Sequence, residues 1–190
     1  MKVVCLLGSP RIKGNSATLA GQFCVAAEKR GAAVQTFALN KLSYRGCQAC
    51  MACKTKLDRC VLEDDLTGVL DAVRGCDVLV MATPTYFGEV SSQLKAFIDR
   101  TFSYLVPDFV TNPTPSRLAP GKKLVFIQAQ TDPDAAHFGD VFPRYESFFQ
   151  WYGFKDCHLI RATGVTDAGE VARQETVMQL AAQTAARVIG

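Results

Sequence analysis

The chain predicts an α/β fold, a doubly wound parallel sheet with helices on both faces. Short β-branched runs alternate with helical stretches along all 190 residues, the pattern of strands joined by crossover helices. A content of 48% hydrophobic and 21% charged residues suits one globular unit with a full core. The first two helical stripes also close on glycine, where a helix ends most easily.

Lys2 to Leu7 reads as the first strand. Leu19, Phe23 and Ala27 recur at helical spacing and end at Gly31, followed by a second strand from Ala33 to Leu39. Leu66, Val69, Leu70 and Val73 mark a helix ending at Gly75, with Asp64 and Asp65 suited to its positive N-terminus. The third strand is Asp77 to Ala82. The helix from about Ser91 to Ser103 carries Leu94, Phe97, Ile98 and Thr101 on one side. Lys122 to Ala129 and Cys157 to Ala162 complete the strands, and Phe138 to Tyr152 and Gly169 to Val188 complete the helices.

Five strands and five helices fit a single flavodoxin-like domain over residues 1–190 with strand order 2-1-3-4-5. The ligand crevice of such a sheet lies beyond the carboxyl ends of its strands, near the first and third. Two insertions interrupt the alternation, a Cys-rich one at about 45–62 and a Pro-rich loop at about 104–121. A connection as long as the second serves as a lid, a binding loop, an oligomer contact or a disordered excursion.

A net charge of +3 without a long basic run predicts no nucleic-acid or membrane-surface role, while leaving room for a small anionic ligand. The apolar start is too short for a signal peptide and no run approaches a membrane span, so the expected location is cytoplasmic. There the eight cysteines read as reduced thiols or metal ligands. Cys5, Cys24, Cys76 and Cys157 lie in apolar segments and are expected in the core.

The other four form the motif Cys47-x2-Cys50-x2-Cys53-x6-Cys60. Three thiolates at three-residue intervals make a poor apolar face but a tight wrap for an iron–sulfur cluster, which points to electron transfer. Zinc, which usually takes two separated pairs, and a metal-free thiol loop are the other readings.

After the first strand comes Gly8-Ser9-Pro10-Arg11-Ile12-Lys13-Gly14-Asn15-Ser16, opening directly into a helix. Helix-start N–H groups with Ser9, Arg11, Asn15 and Ser16 make a phosphate cradle. A plain turn capped by Asn15 or Ser16 has the same look. Five residues separate Gly8 from Gly14 and no Lys-Ser/Thr pair follows, so this is no triphosphate loop. After the third strand, Pro84-Thr85-Tyr86-Phe87-Gly88 offers backbone amides and aromatic rings to a flat ligand, or else a turn whose aromatics plug the core. Gln130 or Thr131, after the fourth strand, is placed to bond the same ligand. His137 and His158 show no ligand spacing, and no acid–base catalyst is assigned.

These loops, with Gln93-Leu94-Lys95-Ala96-Phe97-Ile98-Asp99-Arg100, resemble the NADPH-dependent FMN reductase family over nearly the whole chain. With Cys47, Cys50, Cys53, Cys60 and Asp64-Asp65 added, the chain is similar to that family's iron–sulfur flavoprotein branch. The resemblance implies FMN, a [4Fe-4S] cluster on the four cysteines, NAD(P)H as a possible donor and a homo-oligomer, dimer or tetramer. It assigns the phosphate to Ser9, Arg11, Asn15 and Ser16 and the flavin ring to Pro84, Thr85, Tyr86, Phe87 and Gly88. The expected activity is an FMN-dependent oxidoreductase serving small redox partners or electron-carrier proteins. The alternatives are a cluster-free NAD(P)H-dependent FMN or quinone reductase and a redox-sensing module without turnover.

Overall fold

The computed structural model describes all residues from Met1 to Gly190. Its elements are β1 (Lys2–Leu7), α1 (Asn15–Glu28), β2 (Ala33–Ala38), α2 (Ala52–Thr55), α3 (Asp65–Arg74), β3 (Val78–Tyr86), β4 (Glu89–Val90), α4 (Ser92–Arg100), β5 (Lys122–Ala129), α5 (Val141–Trp151), β6 (Phe154–Ala162) and α6 (Glu175–Ile189). The sheet runs β2-β1-β3-β5-β6 with every one of these pairings parallel. This is the expected flavodoxin-like 2-1-3-4-5 order, with the two-residue β4 hairpinned antiparallel onto the end of β3.

Alternation along the strands divides the core. Val4, Leu6, Leu79, Met81, Leu124 and Phe126 pack under α3, α4 and α5. Val3, Cys5, Val78, Val80, Val125 and Ile127 pack under α1 and α6. Cys5 and Cys76 are buried, whereas Cys24 and Cys157 are half-buried at the edges of these two clusters. At the amino ends of the strands, the buried Lys122 ammonium donates to the carbonyls of Arg74 and Cys76, where α3 ends.

Several boundaries differ from the sequence expectation. β3 continues four residues beyond Ala82, through Pro84, which pairs in register with Ala129. Proline is tolerated here because the strand is leaving the sheet for its hairpin. The helix expected to reach Ser103 stops at Arg100 and tightens into a 3-10 turn over Thr101–Tyr104. The last helix begins at Glu175, preceded by a separate 3-10 turn at Glu170–Arg173. β6 starts at Phe154, before Cys157, with a register irregularity opposite Lys122.

The Pro-rich loop is an ordered arm. Leu105 bridges Ser116 antiparallel, Val106 N–H donates to the Pro115 carbonyl and Arg117 N–H to that of Tyr104. Phe109 anchors it by packing edge-on against Phe102 and tilted against Trp151. No helix is long and apolar enough to cross a membrane.

Candidate functional site

Parallel strands send the loops after β1, β3, β5 and β6 out on the same side of the sheet. There they enclose a largely polar cleft. The β1 loop contributes Ser9, Arg11 and Gly14, and the first turn of α1 adds Asn15 and Ser16. Pro84, Thr85 and Tyr86 come from β3, Ala129 and Thr131 from the end of β5, and Val165 and Thr166 from beyond β6.

The N-terminus of α1 opens into this cleft. Gly14 stands at its cap position without a side-chain hydrogen bond, so the first-turn N–H groups have neither a cap nor an intrahelical partner. Ser16 Oγ is buried and has no partner. Burying an unpaired hydroxyl costs about 1–3 kcal/mol, which an incoming acceptor would offset. Asn15 Oδ1 accepts from Val171 N–H at 3.1 Å, leaving the amide nitrogen to donate. Arg11 N–H donates to Ser9 Oγ at 3.1 Å and its guanidinium to the Thr166 carbonyl at 3.0 Å, which folds this side chain along the cleft rim. A Cβ on Gly14 would stand 2.8 Å from Ser9 Oγ and 3.0 Å from the Arg11 carbonyl oxygen, so glycine keeps the cradle open. No carboxylate lines the cleft. Donors without a competing anion are the chemistry that holds a phosphate.

The opposite wall is set by a buried relay. Gln128, fully buried on β5, donates to Thr85 Oγ1 at 2.9 Å and accepts from Arg161 Nε at 3.2 Å. Arg161 in turn donates to the Ala135 carbonyl at 2.8 Å. With Gln128 occupying a lone pair of Thr85, the threonine hydroxyl is left to donate its proton toward the cleft.

Phe87 and Gly88 do not line the cleft. They form the tip of the β3–β4 hairpin at φ 50° and 76°, the positive pair that two-residue hairpins demand. Glycine adopts this at little cost, whereas phenylalanine there is strained, and its ring is fully exposed. The hairpin is braced from α5, where Tyr145 hydroxyl donates to Glu89 at 2.8 Å and Arg144 pairs with the same carboxylate. Gln130 is buried and does not line the cleft; its Nε2 donates to the carbonyls of Asp132 and Asp134, while its Oε1 has no partner. Its neighbours Ala129 and Thr131 reach the cleft instead.

The insertion after β2 builds a second cavity of about 130 Å3, lined by Cys47, Cys50, Cys53 and Cys60 together with Arg100 and Phe102. No three thiol, imidazole or carboxylate groups gather as they would around a single metal ion. The void is several times the roughly 10–15 Å3 that admits one water molecule, so the four cysteines line room for a group of several atoms. Met51 and Ala49 take positive φ, turning the chain sharply between successive cysteines. Arg100 is fully buried at the end of α4, and its Nε has no partner. Its other nitrogens donate to the carbonyls of Arg45 and Leu62, the two ends of the insertion, and to Asp64 at 2.8 Å. Asp64 also caps α3 through a reciprocal capping box with Thr67. Partial burial pushes the Asp64 carboxyl up, but bonds from Arg100 and the Arg45 N–H outweigh it and hold the carboxyl below its usual range.

The sequence profile of the family described as NADPH-dependent FMN reductase matches residues 1–135. The chain belongs to that family. The match ends before β6 and α6, so it is shorter than the nearly full-length resemblance expected. An iron-sulfur flavoprotein of Methanosarcina thermophila is 34% identical over 101 residues, 53% of this chain and 52% of that protein. An FMN-dependent NADH:quinone oxidoreductase of Hydrogenovibrio crunogenus is 28% identical over 124 residues, 62% of this chain and 59% of that one. The chain thus spans about half the length of the curated relatives it matches. Among solved structures, an FMN-dependent NADH-azoreductase from Bacillus anthracis in complex with FMN superposes with a TM-score of 0.74, covering 100% of this chain and 99% of that one at 14% identity. At that identity the likeness shows the fold.

As a member of the FMN reductase family, the chain brings Ser9, Arg11, Asn15, Ser16 and Pro84 to Tyr86 into one cleft. Sequence reasoning missed Val165 and Thr166, although the rule that crevices lie beyond the carboxyl ends of strands applies equally to the last strand. Gln128 carried no signal, being one polar residue in an apolar run.

Proposed function

We propose that this chain is an FMN-dependent oxidoreductase that draws on NAD(P)H and passes electrons between flavin and a [4Fe-4S] cluster. Bound FMN would supply a centre able to take electrons in pairs and release them singly. The observation that carries the flavin half is the unpartnered Ser16 hydroxyl, buried beside the uncapped start of α1. Ser9, Asn15, Ser16 and the α1 amides would hold the phosphate, with Arg11 closing over it. Thr85 would donate to the ligand from the opposite wall, with Tyr86 beside it and Phe87 and Gly88 at the outer rim. Together these groups would hold the phosphate and orient the cofactor.

The cluster half is supported by four cysteines around one cavity, by the unpartnered Arg100 Nε there, and by the relatives named iron-sulfur flavoproteins. Cys47, Cys50, Cys53 and Cys60 would be its ligands, and the cluster would supply one-electron transfer. Arg100 at the end of α4 lines the cavity, and Ser91 at its start donates to the Gly8 carbonyl in the β1 loop, so one helix touches both regions. Small redox carriers are the proposed partners. Exposed Phe148 and Trp151 give apolar surface that a second copy of the chain would cover.

A cluster-free NAD(P)H-dependent quinone reductase is the second reading, favoured by the similarity to the Hydrogenovibrio protein. Anaerobic purification followed by iron and acid-labile sulfide assays separates the two. The cluster reading predicts about four of each per chain; absence of both, with NAD(P)H oxidation intact, leaves the quinone reductase. A protein with bound FMN and no NAD(P)H oxidation with any acceptor would contradict both and favour a sensing module.

A further inference from the structure

Lys54 is buried beside Cys53 and Phe102, two residues that line the cysteine cavity, and it has no carboxylate partner. Its Nζ donates to the carbonyls of Phe102 at 2.6 Å and Leu105 at 2.8 Å, and stands 3.7 Å from Cys53 Sγ. The same ammonium lies 4.0 Å from the centre of the Phe102 ring. Three acceptors around one nitrogen match the three N–H donors of an ammonium. Arg117 adds a second cation, donating to the carbonyls of Cys53 and Ser103. Of the cations Lys54, Arg100 and Arg117, only Arg100 is in an ion pair, with Asp64.

A buried charge without a counter-ion is costly, and chains avoid it unless something compensates. Carbonyl dipoles do part of this for Lys54. The sulfur of Cys53 is the remaining neighbour, and a neutral thiol offers an ammonium little. Four thiolates on a multi-atom centre would supply the missing negative charge in full.

We propose that Lys54 is a positioning residue for an anionic thiolate-bound cluster in this cavity. Its ammonium holds Cys53 in place through the 102–105 turn and acts as the counter-charge that makes the centre easier to reduce. This rests on the cluster reading above. Adding an electron makes such a centre more negative, so a fixed cation beside it favours the reduced form.

The test compares Lys54→Gln, which retains donors for the two carbonyls but loses the charge, with Lys54→Arg, which retains the charge. Arg59→Gln removes a cation whose side chain is 66% exposed and screened by water. Lys54→Met retains the stem on Phe102 in case the glutamine variant does not fold. Each protein is purified anaerobically, assayed for iron and sulfide, and titrated reductively while cluster absorbance is followed. In K54Q or K54M the ratio of reduced to oxidised cluster at a fixed potential should fall about tenfold, 59 mV for a one-electron couple. In K54R and R59Q it should stay within about threefold of wild type, by the same relation. Loss of iron from K54Q with retention in K54R also supports the counter-charge. An unchanged ratio in K54Q at full iron content overturns the proposal alone, as does equal loss of iron from K54Q and K54R. Wild-type protein that takes up no iron overturns the cluster reading and the proposal with it.

Discussion

Arg100→Met lowers the unfolding free energy by about 3 kcal/mol, toward the lower end of the cost of breaking a buried ion pair. The low end applies because Asp64 retains 16% side-chain exposure, whereas Arg100 has none. The loss is large for one residue because three elements meet on its guanidinium: the end of α4, the Asp64 cap of α3, and the carbonyls of Arg45 and Leu62 that bracket the cysteine segment. Urea denaturation at neutral pH measures it; a change below about 1 kcal/mol would place the pair among surface ion pairs of little consequence. The pH dependence has a definite sign. The Asp64 carboxyl lies below its usual value in the folded chain, so its contribution is present above the unfolded carboxylate pKa and fades as pH falls through the folded one. The gap between wild type and R100M should therefore narrow in acid.

Ser16→Ala weakens FMN binding about 10- to 100-fold, the equivalent of roughly 1.5–3 kcal/mol for a hydrogen bond to a charged group. Riboflavin, which lacks the phosphate, should change far less. The same substitution should raise the stability of the flavin-free chain by about 1 kcal/mol, because it removes a buried hydroxyl that has no partner there. Opposite signs for stability and binding mark a residue placed for its ligand, and a simple packing defect would lower both. Arg11→Ala should shift FMN in the same direction by less, since this guanidinium is exposed and already engages Thr166. Melting curves with and without each flavin read all of these effects.

Much of this arrangement was legible in the sequence because it depends on local chemistry. Lys2–Leu7 and Lys122–Ala129 are built around the apolar runs Val3 to Leu7 and Leu124 to Ile127, and they emerge with their expected bounds. Leu66, Val69, Leu70 and Val73 announce α3 by periodicity, and Asp64 announces its start. Less legible were the features set by tertiary contacts. Nothing local says that β3 passes through Pro84 into a hairpin, since that depends on Ala129 pairing opposite and on Tyr145 and Arg144 holding Glu89. The same holds for Gln130, whose amide is claimed by the Asp132 and Asp134 carbonyls. Nothing local marks Arg100 or Lys54 as buried, and only the fold shows that both are.

The claim on which the rest depends is that FMN sits at the start of α1 with its phosphate on the Ser9 to Ser16 loop. Titrating the flavin-free wild-type chain with FMN and with riboflavin, and following flavin fluorescence, tests it most directly. One FMN per chain, bound at least about tenfold more tightly than riboflavin as one charged hydrogen bond requires, is the expected result. Uptake of neither flavin, or equal affinity for both, would contradict it.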